Sequence, residues 1–168
     1  DICRLAVSML LANEDDILNS DKGDVRTIYD CCGGTNGFIS DALDMLEEMH
    51  SGKNMKAAAR IVPYSQEVEP ESWAMGKAAM LLRNVSNSDK DLYDSMTDLS
   101  QYCAMGDTLA DDKFPDTTFD WQCTNPPYGK DWSKSAEDVL TEAKMGIKGR
   151  FYAGLPSKND GSMLFLQH

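Results

Sequence analysis

A chain of 168 residues with 42% hydrophobic side chains is long enough for one domain around a buried core, and the lack of a repeat or a long apolar run excludes a solenoid and a membrane-spanning helix. The formal net charge of −12, from 28 acidic against 16 basic residues, argues against a chain that neutralises phosphates by itself. Five cysteines include the neighbours Cys31 and Cys32 but no Cys-x-x-Cys pair, and His50 and His168 lie far from them. Reduced thiols in a cytoplasmic protein fit this pattern, whereas a disulfide framework or a metal site does not.

Ile2, Leu5, Ala6, Met9 and Leu10 recur at helical spacing with no capping residue before them, so the chain is expected to start inside a helix. Residues 25–29 are a short β-rich run closed by Asp30, followed by a glycine-rich turn and a helical pattern through Phe38, Ala42, Leu46 and Met49. The scheme repeats: residues 58–64 read as a strand, Glu67 closes it, and Pro70 opens a helix through Trp73, Ala74, Lys77 and Leu81. Two such units in series predict a parallel sheet. The polar stretch 84–98 reads as a loop with one helical turn around Leu92, and a weak third strand at 102–105 runs into Gly106-Asp107. Residues 119–124 are the expected fourth strand, where Phe119, Trp121 and Cys123 alternate with Asp120, Gln122 and Thr124 as in a half-buried strand. Beyond it lie Trp132, a short helix at 136–144, a loop with Gly149, Gly154 and Pro156, and the start of a further helix at 163–168.

Two of the strand ends carry sequences with chemical meaning. In Asp30-Cys31-Cys32-Gly33-Gly34-Thr35-Asn36-Gly37-Phe38, glycines let the backbone approach a ligand and the following helix offers unpaired N–H groups to an anion, although a tight turn with a helix cap has the same composition. Glu67, at the end of the second strand, stands where a carboxylate can accept both hydroxyls of a ribose; taken alone it reads equally as a solvated charge. Asp107 could accept from the amine of an adenine, or simply cap the turn after Gly106. The sharpest signal is Asn125-Pro126-Pro127-Tyr128: two prolines stiffen the backbone, so the Asn125 amide and the Pro126 carbonyl can both accept from one planar NH2 group while Tyr128 stacks on its ring. No enzyme nucleophile is required for such positioning chemistry.

Taken in order, these segments resemble the class I adenine-N6 DNA methyltransferases. Asp30 to Phe38 is similar to their motif I, Tyr64-Ser65-Gln66-Glu67 with Pro70-Glu71-Ser72-Trp73-Ala74 to motif II, Gly106-Asp107-Thr108-Leu109 to motif III, and Asn125-Pro126-Pro127-Tyr128 to motif IV. Further segments resemble the modification subunits of type I restriction-modification systems: Met80-Leu81-Leu82-Arg83-Asn84, the run from Gly106 to Phe114, Gly129-Lys130-Asp131-Trp132, and the stretch from Arg150 through Pro156 into Leu164 to His168. The resemblance covers nearly the whole chain.

It implies a Rossmann-like α/β fold, here about four parallel strands in the order 3-2-1-4 with flanking helices, forming one partial catalytic domain over residues 1–168. S-adenosylmethionine is the implied cofactor, its methionine end at Asp30, Gly34, Thr35 and Gly37, its ribose on Glu67, its adenine against Val68 and Asp107, and Asn125 beside it. Asn125, Pro126 and Tyr128, stiffened by Pro127, would receive an adenine flipped out of duplex DNA. The implied partners are double-stranded DNA, a specificity subunit and a restriction subunit, with no membrane.

Three features depart from the family pattern. Cys31 replaces its usual proline and Asn36 its usual glycine, which bears on cofactor affinity. The family's sheet has seven strands in the order 3-2-1-4-5-7-6, and a chain ending before the fifth leaves the fourth as an edge open to self-association, with little methylation expected from this chain alone. Two other readings share part of the pattern: a protein-glutamine methyltransferase, which also presents Asn-Pro-Pro-Tyr, and a catalytically silent structural remnant.

Overall fold

The computed structural model describes residues 2–12, 25–51, 60–86 and 98–168. The elements in chain order are α1 (Ile2–Leu10), β1 (Val25–Asp30), α2 (Gly37–Ser51), β2 (Arg60–Glu67), α3 (Pro70–Ser86), β3 (Cys103–Met105), β4 (Trp121–Gln122), α4 (Ala136–Ala143) and α5 (Ser162–Gln167). Single 3-10 turns at Ser133–Ser135 and Gly146–Lys148 bracket α4. All strand pairs are parallel, as the alternation of strands and helices predicts, and their order, β3-β2-β1-β4, is the one the family resemblance implies. Among the described residues no helix is long and apolar enough to cross a membrane.

The helices α1, α2 and α3 cover one face of this sheet. Ile28 of β1, Ile61 of β2, Cys103 of β3 and Trp121 of β4 join Val7, Ile39, Leu43, Leu46 and Met80 in the main core. Strand alternation sends Tyr29, in register with Tyr64, to the opposite face. There an aromatic cluster replaces helices: Phe119 stacks on Tyr29 at 4.4 Å, Tyr102 stacks on Tyr64 at 4.3 Å, and Phe114 meets Tyr64 edge-on at 5.2 Å. A second core of Leu109, Trp132, Val139, Phe151 and Leu164 gathers the chain beyond β4.

Four sequence expectations are corrected. The α1 stripe that gives the helix its period is turned outward, with Ile2, Leu5 and Met9 exposed while Val7 and Leu11 are buried, because α1 meets α2 through the latter pair. The third helix runs on to Ser86, three residues into the stretch expected to be loop; the turn expected around Leu92, like residues 58 and 59 of the second strand, lies outside the described residues. Strand β3 is three residues and β4 only two. In place of further pairing, the Asp120 carboxylate accepts from the Thr27 N–H at 2.7 Å and from its hydroxyl at 2.9 Å, and Phe119 crosses to the Tyr29 face. The even alternation expected from Phe119 onward is therefore broken before Trp121.

Gln66 is fully buried and bonds twice to the loop after β3: its Nε2 donates to the Asp111 carbonyl at 2.8 Å, and its Oε1 accepts from the Lys113 N–H at 3.0 Å. That clasp holds Phe114 over the sheet. Gln66→Leu keeps the volume but strands both backbone groups, and is expected to destabilise the fold by about 2 kcal/mol in urea unfolding.

Candidate functional site

In a parallel sheet every strand ends at the same edge, so Asp30, Glu67, Met105 and Gln122 deliver their following loops to one side. Strand β1 is the common reference: Tyr29 pairs with Tyr64 on one flank and with Gln122 on the other. The Cys123 N–H reaches the Tyr29 carbonyl at 3.1 Å, just before the chain enters the diproline segment.

The glycine turn is stitched to β2 twice. The Gly33 N–H donates to the Gln66 carbonyl at 2.9 Å, and the Gly34 N–H donates to Glu67 Oε2 at 2.8 Å. Glu67 Oε1 accepts from the Glu69 N–H at 2.7 Å. Each carboxylate oxygen thus accepts one backbone donor and keeps a second lone pair for a ligand hydroxyl. Gly34 has φ 52° and nothing within 4 Å of where a Cβ would stand, so its surface is open to a bound molecule. Val68, half exposed, is the apolar residue beside Glu67.

Asn36 occupies the left-handed region, with φ 63°, and its side chain is buried. The amide fits because α3 presents Gly76 to it: a Cβ there would come within 2.9 Å of Asn36 Nδ2 and 3.1 Å of the Gly34 carbonyl. Asn36 Nδ2 also donates to Cys103 Sγ at 3.4 Å. The departure from glycine is thus accommodated by a glycine elsewhere, and the turn keeps its left-handed step. Gly37 opens α2, Thr35 is exposed beside it, and Cys31, standing where the pattern has proline, is buried.

Asp30 is almost wholly buried and accepts from the Cys32 N–H at 3.0 Å. Burial, with the charge of Glu67 adding to it, pushes its pKa from 3.8 up to about 6 against the pull of its donors, Cys32 N–H and the Thr124 hydroxyl. Asp107 accepts from the Leu109 N–H at 3.0 Å and from the Ser135 hydroxyl at 2.5 Å, so it caps a turn and ties β3 to the segment before α4. Neither role occupies all its lone pairs.

Asn125 and Tyr128 are exposed. Pro126 and Tyr128 line a pocket of about 590 Å3 whose far wall is α5, through Met163, Phe165 and Leu166. Contacts join this hook to the glycine turn: Cys31 Sγ lies 3.5 Å from Thr124 Oγ1, and the Thr108 hydroxyl after β3 donates to the Cys31 carbonyl at 2.6 Å. The structure therefore brings Asp30, Gly34, Glu67, Asp107 and Asn125 to one edge. Sequence reasoning did not single out Thr108, Thr124, Ser135 or Gly76, whose partners lie in remote parts of the chain; only the place of Thr124 directly before the hook offered a signal.

The profile of the N-6 DNA Methylase family matches residues 1–168. Among curated proteins no sequence match is found. Among solved structures, the methyltransferase subunit of a type I restriction-modification system from Streptococcus thermophilus superposes with a TM-score of 0.65 at 18% identity, covering 99% of this chain and 29% of that one. That likeness establishes the class I methyltransferase fold. The M protein of the type I restriction enzyme EcoKI aligns at 17% identity over 76% of this chain and 24% of its own, with a TM-score of 0.40. The rRNA methyltransferase aviRa from Streptomyces viridochromogenes aligns at 15% identity over 93% of this chain and 74% of its own, with a TM-score of 0.35. The chain thus spans under a third of the length of the two restriction-modification subunits.

Two outcomes test this geometry. Gly76→Ala should cost about 1–3 kcal/mol by overpacking, and adding Asn36→Gly should recover part of that loss in a double-mutant cycle read by urea unfolding. For Asp30 the pH dependence has a definite sign. Below pH 3.8 both folded and unfolded states carry the proton; between 3.8 and about 6 the unfolded chain ionises first, so stability falls, and above that the penalty is constant. Asp30→Asn should therefore gain on the wild type by about 3 kcal/mol as pH rises across that window, seen as diverging urea midpoints.

Proposed function

Because the chain belongs to the N-6 DNA Methylase family, we propose that it is the catalytic core of an S-adenosylmethionine-dependent adenine-N6 DNA methyltransferase, acting as part of a type I modification subunit. The observation that carries the reading is the meeting of the Asn125-Pro126-Pro127-Tyr128 hook with the glycine turn on adjacent parallel strands, in contact through Thr124 and Cys31. A nucleoside pocket and an acceptor hook on one edge are what transfer of a methyl group to an exocyclic amine requires.

The residues fit the cofactor. Glu67 keeps lone pairs for the ribose hydroxyls, Val68 offers an apolar surface to a purine and Asp107 an acceptor for its amine, and the open face of Gly34, with Thr35, Gly37 and the buried Asp30, accommodates the methionine end. S-adenosylmethionine, when bound, supplies an electrophilic methyl group. The Asn125 side-chain oxygen and the Pro126 carbonyl accept from the two hydrogens of the target amine, which turns its lone pair toward that methyl group. Tyr128, largely exposed, stacks on the target ring, and the adjoining pocket takes the base out of the duplex.

A net charge of −12 assigns most phosphate contacts to another subunit, which fits a modification subunit that works with a specificity partner. Accommodation of Asn36 with its left-handed φ removes one ground for reading the chain as a silent remnant.

The test uses full-length protein assembled on duplex DNA with methyl-labelled cofactor. Label is expected on adenine N6, with Asn125→Ala lowering the rate by roughly a hundredfold or more, as for loss of a group aligned on the reacting centre. Glu67→Ala should weaken cofactor binding in calorimetry by roughly tenfold or more. Label on a glutamine-containing protein instead of DNA, or no transfer at all, would overturn the reading.

A further inference from the structure

Among the described residues, hydrogen bonds hold the hook at its two ends and not between. Its last backbone hydrogen bond to the sheet is Cys123 N–H to Tyr29; among the described residues the next beyond Thr124 is Gly129 N–H to Asp160 Oδ1, at 3.3 Å. Pro126 and Pro127 have no N–H to offer, and among the described residues Asn125 and Tyr128 find no hydrogen-bond partner. What fixes the direction in which Asn125 leaves the sheet is therefore the side chain immediately before it. The Thr124 hydroxyl faces the buried Asp30 carboxylate, and its oxygen lies 3.5 Å from Cys31 Sγ, which is itself 3.7 Å from Gln122 Nε2.

Resting on the activity proposed above, we propose that Thr124 is a positioning residue for methyl transfer: its hydroxyl, held between the Asp30 carboxylate and the Cys31 thiol, sets the angle of the Asn125 hook relative to the glycine turn. A single hydroxyl thereby couples the two halves of the site. The thiol donates to the hydroxyl oxygen at 3.5 Å and the hydroxyl draws the Asp30 pKa down, so Thr124 is engaged by both groups. Loss of the hydroxyl removes a donor from an already buried carboxylate, which holds its proton more tightly as a result.

The groups facing Asp30 make that titration legible. Glu67 from β2 raises it, the Cys32 N–H and the Thr124 hydroxyl lower it, and the thiols of Cys31, Cys32 and Cys123 and the phenol of Tyr29 are the other titratable groups beside it: burial pushes Tyr29 and Cys123 up, and the bond between the two thiols pushes Cys32 up and draws Cys31 down. Among the described residues no lysine or arginine shifts it.

The test compares wild type, Thr124→Val and Thr124→Ser in the full-length protein on duplex DNA, measuring kcat, the KM for S-adenosylmethionine and the pH profile of kcat. The valine variant should lose about tenfold in kcat with KM changed less than twofold, and its acid limb should move to higher pH; the serine variant should restore both. Thr124→Ala provides the same loss of hydroxyl should the valine variant fail to melt cooperatively. An active wild type matched by the valine and alanine variants in kcat and in the acid limb overturns the positioning role while leaving the methyltransferase reading intact. A wild type that transfers no methyl group overturns both.

Discussion

Strand β1 carries two partners of very different strength, and the arrangement of the site depends on the weaker one. Its pairing with β2 runs over six residues, whereas β4 is joined to it by two, Ile28 with Trp121 and Tyr29 with Gln122. Trp121 contributes its side chain to the main core, and Asp120 secures the start of the strand through the backbone and hydroxyl of Thr27. Short pairing at this place is workable because burial and a carboxylate supplement the ladder. It also means that the register which brings the diproline hook level with the glycine turn is held by side chains as much as by main-chain bonds.

The site concentrates polar groups that a stable interior would avoid. Asp30 is buried within the field of Glu67, and a carboxylate in such a position works against folding at neutral pH. The surrounding structure tolerates it through a backbone N–H and a hydroxyl, and through the extensive core of the helix-covered face. Burial costs that persist at one end of a parallel sheet mark where stability yields to function. Glu67 differs in kind: its two oxygens are met by the backbone of Gly34 and Glu69, so it shapes the glycine turn before any ligand arrives.

The region beyond β4 folds onto this edge as a second small core rather than as an extension of the sheet. Arg150 gathers it, donating to the Thr108 and Leu109 carbonyls and pairing with Glu142 at 2.7 Å, while Asp107 reaches Ser135. His168 completes the link to the sheet, bonding Tyr29 Oη at 3.0 Å and Arg150 Nη1 at 2.8 Å. Burial lowers the His168 pKa, which suits a neutral ring between a phenol and a guanidinium. The wall of the pocket beside the hook is thus set by contacts reaching back to β1.

The ends of the first three strands, the glycine turn, the helix starting at Pro70 and the parallel sense of the sheet were legible in the sequence, because each follows from local rules: alternation, a proline at a first helical turn, and the crossover geometry of strand-helix-strand units; the strand order came from the resemblance of the motifs to a family. The hook and Glu67 were legible for the same reason, since position at a strand end is a local property. What sequence could not supply was anything set by residues distant in the chain. The two-residue length of β4 follows from Asp120 binding Thr27, the outward stripe of α1 from where α2 lies, and the fit of Asn36 from Gly76 on another helix. Local periodicity fixes what an element is, but which of its faces meets a neighbour, and which polar group finds a partner, depends on long-range proximity that only folding creates.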